Sequence, residues 1–232
     1  MRHLPLVLLP GLLCDAELWR HQIDRLQDVA DPIVADLTKD DSMEAMARSV
    51  LDAMPEKFAL AGLSMGGYVA QALLRLAPER VSHLALLDTS FRADTDAQRT
   101  RRRDMMSLAE KGAFKGVTPR LLPHLIHEDR LEDTPLVTAV MKMAESVGKA
   151  AFLRQERAIL GRTDGSEVLR AVACSTLVLC GAEDALTPRH LHEEMAGMIP
   201  GARLVVVPDC GHLSTMERPE AVTQAMREWL SA

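Results

Sequence analysis

The sequence predicts an α/β fold: a mostly parallel sheet of about six strands with helices on both faces. Short apolar runs rich in Val, Leu and Ala recur along it, without the polar alternation of a half-exposed strand. Segments with apolar residues every three to four positions separate most of these runs. The length, 232 residues, is enough for one sizeable core.

The first strand is Leu6–Leu9, followed by Pro10-Gly11 and a helical pattern over Leu18–Leu26. Ile33–Ala35 reads as the second strand and Ser42–Met54 as the second helix. Ser42 stands before Met43, Glu44 and Ala45, which puts a capping hydroxyl and an acid in the first turn. Phe58–Ala61 leads into a helix over Gly67–Leu76, and Leu84–Leu87 is the next strand. Leu177–Cys180 precedes the helix Arg189–Met198, and Leu204–Val207 precedes Pro219–Leu230. From Phe91 to about Arg170 no strand is visible. Helical stretches Asp96–Glu110, Leu136–Val147 and Lys149–Leu160 fill it, separated by Gly and Pro. The expectation is a single domain over 1–232 with a helical lid inserted at about 91–170. The lid would sit over the carboxyl ends of the strands, where functional loops of such sheets gather.

Hydrophobic residues make up 47% and charged residues 26%, which fits a folded globular chain. The net charge of −6 gives no footprint for nucleic acid. Arg99 and Arg101 to Arg103 lie among Asp94, Asp96 and Asp104 and read as a solvated helix face. The apolar segment Leu4–Leu13 contains Pro5, Pro10 and Gly11, lacks a cleavage pattern and is too short to span a bilayer. No membrane partner is expected, and the cytoplasm is the expected location. Cys14, Cys174, Cys180 and Cys210 have no metal-type spacing and read as reduced thiols. His124 with His127, and His190 with His192, lack a third ligand and read as solvated, so neither a metal nor a cofactor is expected.

The strongest local signal is Gly62-Leu63-Ser64-Met65-Gly66-Gly67, directly after a strand and before a helix. A sharp turn there would hold Ser64 in a strained backbone conformation at a helix amino terminus, with glycines where bulk would clash. Serine is a weak nucleophile and needs a base. His212, in Pro208-Asp209-Cys210-Gly211-His212, follows the last strand and opens at the same edge. The histidine needs a carboxylate to fix its tautomer. Asp184, just past Leu177–Cys180, is preferred. Asp88 at the end of Leu84–Leu87 is the competitor, otherwise a turn cap with Thr89 and Ser90, while Glu183 reads as structural or solvated. The oxyanion donors expected are the backbone N–H groups of Met65 and Leu12, the latter in the loop Pro10 to Cys14.

These stretches, with Leu8-Leu9-Pro10-Gly11, Trp19, Gly181-Ala182-Glu183-Asp184 and Glu217-Arg218-Pro219-Glu220, resemble the α/β-hydrolase superfamily, in particular its small bacterial esterase-like members. Two departures stand out: Pro10 occupies a position where many members carry histidine, and the sheet opens directly at Leu6 without the usual antiparallel strands. The resemblance implies a serine hydrolase cleaving a small carboxylic ester through an acyl-serine. It leaves thioesterase, lactonase, carbon–carbon bond hydrolase, acyl-transfer and non-catalytic receptor readings open. Met105, Met106, Met141, Met143, Phe91, Phe114 and Phe152 in the lid read first as helix packing; if some face the site, the small-molecule substrate carries an apolar acyl or alcohol group. No arginine can be placed at the site from the sequence, and the oligomeric state is open.

Overall fold

The computed structural model describes residues 3–232. Six strands form one sheet in the order β2-β1-β3-β4-β5-β6, and every neighbouring pair is parallel. They are β1 Leu4–Leu9, β2 Ala30–Val34, β3 Phe58–Leu63, β4 Val81–Leu87, β5 Ser175–Gly181 and β6 Arg203–Val207. Along each central strand, alternate residues enter opposite cores. Leu60, Leu84, Leu86 and Val178 pack under α2 (Met43–Ala53), α3 (Met65–Leu76) and α7 (Arg189–Met198). Ala61, Ala85, Leu87, Leu177 and Leu179 face the other layer, which holds Trp19, α1 (Arg20–Arg25) and α9 (Pro219–Leu230). Burial on both faces explains why the strands lack polar alternation.

Several boundaries differ from the sequence reading. β2 begins three residues earlier than Ile33 and includes Pro32. It is an edge strand, where a residue without an N–H can be accommodated. The first helical pattern splits into a 3₁₀ turn, Ala16–Trp19, and α1. Ser42 does cap α2, its hydroxyl accepting the Ala45 N–H at 3.1 Å.

Between β4 and β5 lie α4 (Asp96–Leu108), α5 (Thr134–Leu160) and the short α6 (Ser166–Arg170). α4 carries a capping box in which Thr95 and Gln98 satisfy each other's backbone N–H. The two expected helices on either side of Gly148 are joined into α5, with Gly148 at φ 75° and ψ 173° marking a sharp kink. A final short helix, α8 (Ser214–Glu217), follows β6. Among the described residues no helix is long and apolar enough to cross a membrane.

Candidate active site

Ser64 stands between the end of β3 and the start of α3, at φ 54° and ψ −114°. A residue with a side chain rarely adopts this conformation, at a cost of about 1–3 kcal/mol. Neighbouring backbone holds it there. Its N–H donates to the Leu87 carbonyl at 3.0 Å, and its carbonyl accepts from Gly67 N–H at 2.9 Å and the Thr89 hydroxyl at 2.7 Å. Gly66 presses against β1, where a Cβ would overlap the Leu9 carbonyl.

His212 Nδ1 lies 2.8 Å from Asp184 Oδ2, and both residues are almost fully buried. Asp184 also accepts from Leu186 N–H at 2.8 Å, Thr187 N–H at 3.0 Å and the Thr187 hydroxyl at 2.6 Å. Burial pulls the imidazole pKa down, but the Asp184 charge and hydrogen bond outweigh it and hold the pKa above 6.5. The reverse balance holds Asp184 below the ordinary carboxylate value: burial raises it and the His212 charge and hydrogen bond lower it further. The two loops touch through backbone, since a Cβ on Gly181 would overlap the Cys210 and Gly211 carbonyls.

Glu217 is a residue the sequence reading missed as part of the site. Its buried carboxylate accepts the N–H groups of His127 (2.6 Å), Gly211 (3.1 Å) and Leu213 (3.1 Å), which fixes the chain on either side of His212. The available signal was an acid five residues past the histidine, just before Arg218-Pro219.

Asp88 does not cap a turn with Thr89 and Ser90. It is fully buried, its Oδ1 accepts the Gly181 N–H at 2.9 Å, and its Oδ2 is hydrogen-bonded to the Ser214 hydroxyl. Burial first, and then the Asp184 charge, push its pKa well above the carboxylate range. The Thr89 N–H is taken instead by His192 Nε2 at 2.9 Å. His192 is therefore not solvated: it is fully buried, and burial lowers its pKa to about 4. His190 is exposed. Among the described residues no group of three or more His, Cys, Asp or Glu is arranged to hold a metal ion.

A cavity of about 1040 Å³ has Ser64, His212 and Leu12 on its wall. Of the aromatic and methionine side chains between β4 and β5, Met105, Met143, Phe114 and Phe152 line it, with the two phenylalanine rings 5.3 Å apart. Phe91 lines a smaller cavity of about 320 Å³ beneath α3 and the end of α5. The arginine run is not simply a solvated face. Arg101 and Arg102 are on the main cavity wall, and Arg102 bridges the buried carboxylates of Asp94 (2.8 Å) and Glu156 (2.9 Å). In the Pro10–Cys14 loop, Leu13 N–H donates to Gln155 Oε1 at 3.0 Å and Cys14 N–H to the Gly11 carbonyl at 3.1 Å. Leu12 N–H makes no hydrogen bond among the described residues. Met65 opens α3, so its N–H has no partner within its own helix. Ser64 and His212 face one cavity, but no hydrogen bond joins them among the described residues. Catalytic contacts are often loose without substrate and tighten in the complex.

A parallel sheet with a strained serine after β3, an acid after β5 and a histidine after β6 defines a hydrolase class. The model of the alpha/beta hydrolase family matches residues 6–225, and the chain belongs to that family. It is 34% identical to a thermophilic esterase from Thermogutta terrifontis, solved with malate bound. That match has a TM-score of 0.92 and covers 99% of this chain and 90% of that one. A pimeloyl-[acyl-carrier protein] methyl ester esterase from Legionella pneumophila (strain Corby) is 28% identical over 98% of this chain and 95% of its own. The enol-lactonase from Burkholderia xenovorans LB400 is 22% identical. Its TM-score of 0.88, over 99% of this chain and 92% of that one, is a likeness of fold alone.

Proposed function

We propose that the chain is a serine hydrolase cleaving an ester of a small carboxylic acid through an acyl-serine. The observation that carries this reading is the 2.8 Å Asp184–His212 hydrogen bond on the cavity that also holds the strained Ser64. With Nδ1–H held by Asp184, the ring presents a neutral Nε2 as base. His212 takes the Ser64 proton as the hydroxyl attacks the ester carbonyl. The oxyanion is received by the N–H groups of Leu12 and Met65. His212 then protonates the leaving alcohol, and afterwards activates the water that releases the acid. The segment between β4 and β5 acts as a lid over one domain, and its apolar wall takes an apolar acyl or alcohol group. The four free cysteines fit a reducing compartment, so the cytoplasm is the setting in which we expect the reaction.

Ser64→Ala is expected to abolish turnover of 4-nitrophenyl acetate and butyrate, with thermal unfolding unchanged. Activity within about tenfold of the parent would overturn the assignment of the nucleophile.

A further inference from the structure

The chain carries six more acids than Lys and Arg, yet its main cavity is lined by the opposite charge. Arg92, Arg101, Arg102, Lys115, Arg120 and Arg162 lie on that wall, against the single carboxyl of Glu156. Half of these cations are already matched. Arg102 and Arg162 share Asp94 and Glu156, and Arg92 meets Glu194. Arg101, Lys115 and Arg120 form no ion pair among the described residues, and all are exposed. The sequence around the last two offers no neutralising acid, since none occurs from Lys111 to His127. Ser64, by contrast, lies inward, and apolar side chains such as Phe114, Met143 and Phe152 share the wall with it. The cavity thus joins a nucleophile, an apolar passage and an unmatched positive rim.

We propose that the site selects esters whose far end carries an anion, a carboxylate or a phosphate, received by Arg101, Lys115 and Arg120 while the carbonyl lies at Ser64. This rests on the ester-hydrolase reading and names its substrate class. Each exposed cation alone contributes little. Three unpaired cations on a wall whose one carboxyl, Glu156, is already bridged raise the local concentration of an anionic substrate, and salt weakens that effect. The rim position also lets the anion keep part of its hydration, so no buried charge is created.

The test compares kcat/KM for monomethyl adipate, for its terminal monoamide, which is a neutral isostere, and for a phosphomonoester ester of the same length. The monoester anion is expected to exceed the amide by about tenfold at low salt, and the ratio should shrink several-fold in about 0.5 M salt. In a variant combining Arg101→Gln, Lys115→Gln and Arg120→Gln the ratio should fall toward one. Because the ratio is internal to each protein, partial loss of folded enzyme does not mimic the result. A parent ratio near one for both anions, or a ratio that survives the triple variant, overturns the proposal. The phosphate arm identifies the source: a larger ratio for phosphate than for carboxylate points to phosphorylated esters, and the converse to half-esters of dicarboxylic acids. If no ester is turned over, calorimetry of monomethyl adipate and its amide with Ser64→Ala protein decides separately. Tighter binding of the anion keeps the rim assignment while the hydrolase reading fails, and equal binding ends the rim assignment too.

Discussion

The carboxyl ends of the strands and the segment between β4 and β5 face the same cavity but are held by different means. At the strand ends the fixing contacts run mostly through backbone. Ser64 is tied to Leu87, Gly67 and Thr89, and three N–H groups converge on Glu217 around the His212 loop. In the segment between β4 and β5, buried ion pairs between side chains carry a larger share of the fixing contacts. Asp94, Arg102 and Glu156 form a buried chain of charge, and Arg162 adds a second bridge to Asp94 while lying 4.3 Å over the Tyr68 ring. Backbone geometry survives most substitutions, so a reactive constellation placed on it persists while the opposite wall changes. A wall built from side chains is rewritten by a few substitutions, which would suit a part that meets the proposed substrate.

The largest expected effect comes from the strand-end side and separates the two acids there. In Asp184→Asn the amide would donate to His212 Nδ1, force the proton onto Nε2 and leave no base. kcat should fall by about 10⁴ while the fold persists. Asp88→Asn should stay within about tenfold of the parent, because burial and the Asp184 charge already disfavour the ionised Asp88 and an amide keeps both the Gly181 and Ser214 partners. Ester kinetics on the two purified variants check this, and the opposite ranking would make Asp88 the partner of the histidine. The pH profile gives a second reading. In the proposed mechanism the base is neutral His212, whose pKa is raised by Asp184, so activity should be lost as pH falls through a value above the ordinary imidazole pKa. The acid limb of kcat/KM in the parent should therefore have its midpoint above 6.5, and the residual activity of Asp184→Asn should lose that upward shift.

The strand-end side was also the legible side. A strand, a turn of small residues and a helix occupy consecutive positions, so Ser64 and His212 could be singled out from their places after strands, with Asp184 preferred over Asp88. The environment of Asp88 could not, because its partners, Gly181 and Ser214, are 93 and 126 residues away. His192 shows the same limit. It stands close to His190, Glu193 and Glu194 in sequence, yet its ring reaches Thr89 in the core beside the sheet. The segment between β4 and β5 was legible only as helical. Which of Arg99, Arg101 and Arg102 meets the cavity depends on how α4 is rotated against α5, and that is set by Asp94 and Glu156, the latter on another helix. Sequence spacing correctly marked Gly148 as a break, but α5 runs on through it with a changed direction.

The next effect tests the side-chain wall directly. Arg102→Met removes the bridge while its two carboxylates have no exposed side-chain area. Asp94 keeps Arg162, whereas Glu156 loses its counterion. Leaving one buried charge unpaired costs about 3–5 kcal/mol. Burial already raises the Glu156 pKa, so without Arg102 the folded state takes up a proton that the unfolded state releases above its ordinary carboxylate pKa. The folded form then binds more protons, and its stability falls as pH rises. Urea denaturation should show a deficit of about 3 kcal/mol at pH 8 that narrows toward pH 5. A deficit independent of pH would mean that Glu156 stays ionised without its arginine.

The smallest effect concerns the hinge in α5. Gly148 combines φ 75° with ψ 173°, a region that glycine alone occupies readily, and a Cβ there would meet no atom within 4 Å. Any cost of Gly148→Ala is therefore conformational rather than steric, about 1–3 kcal/mol, or a fall in Tm of several degrees. Gly197 in α7 is the matched control: a Cβ there also meets nothing, and its backbone is not in the positive-φ region. Gly197→Ala should raise stability by about 0.5–1 kcal/mol, because alanine loses less freedom in a helix. The direction of α5 past Gly148 sets where Gln155 meets the Leu13 N–H beside the proposed oxyanion loop. Gly148→Ala should thus also lower kcat/KM for small esters, whereas Gly197→Ala should not. Equal Tm changes in the two variants would show that the kink is a consequence of packing on either side and not a requirement set by the glycine.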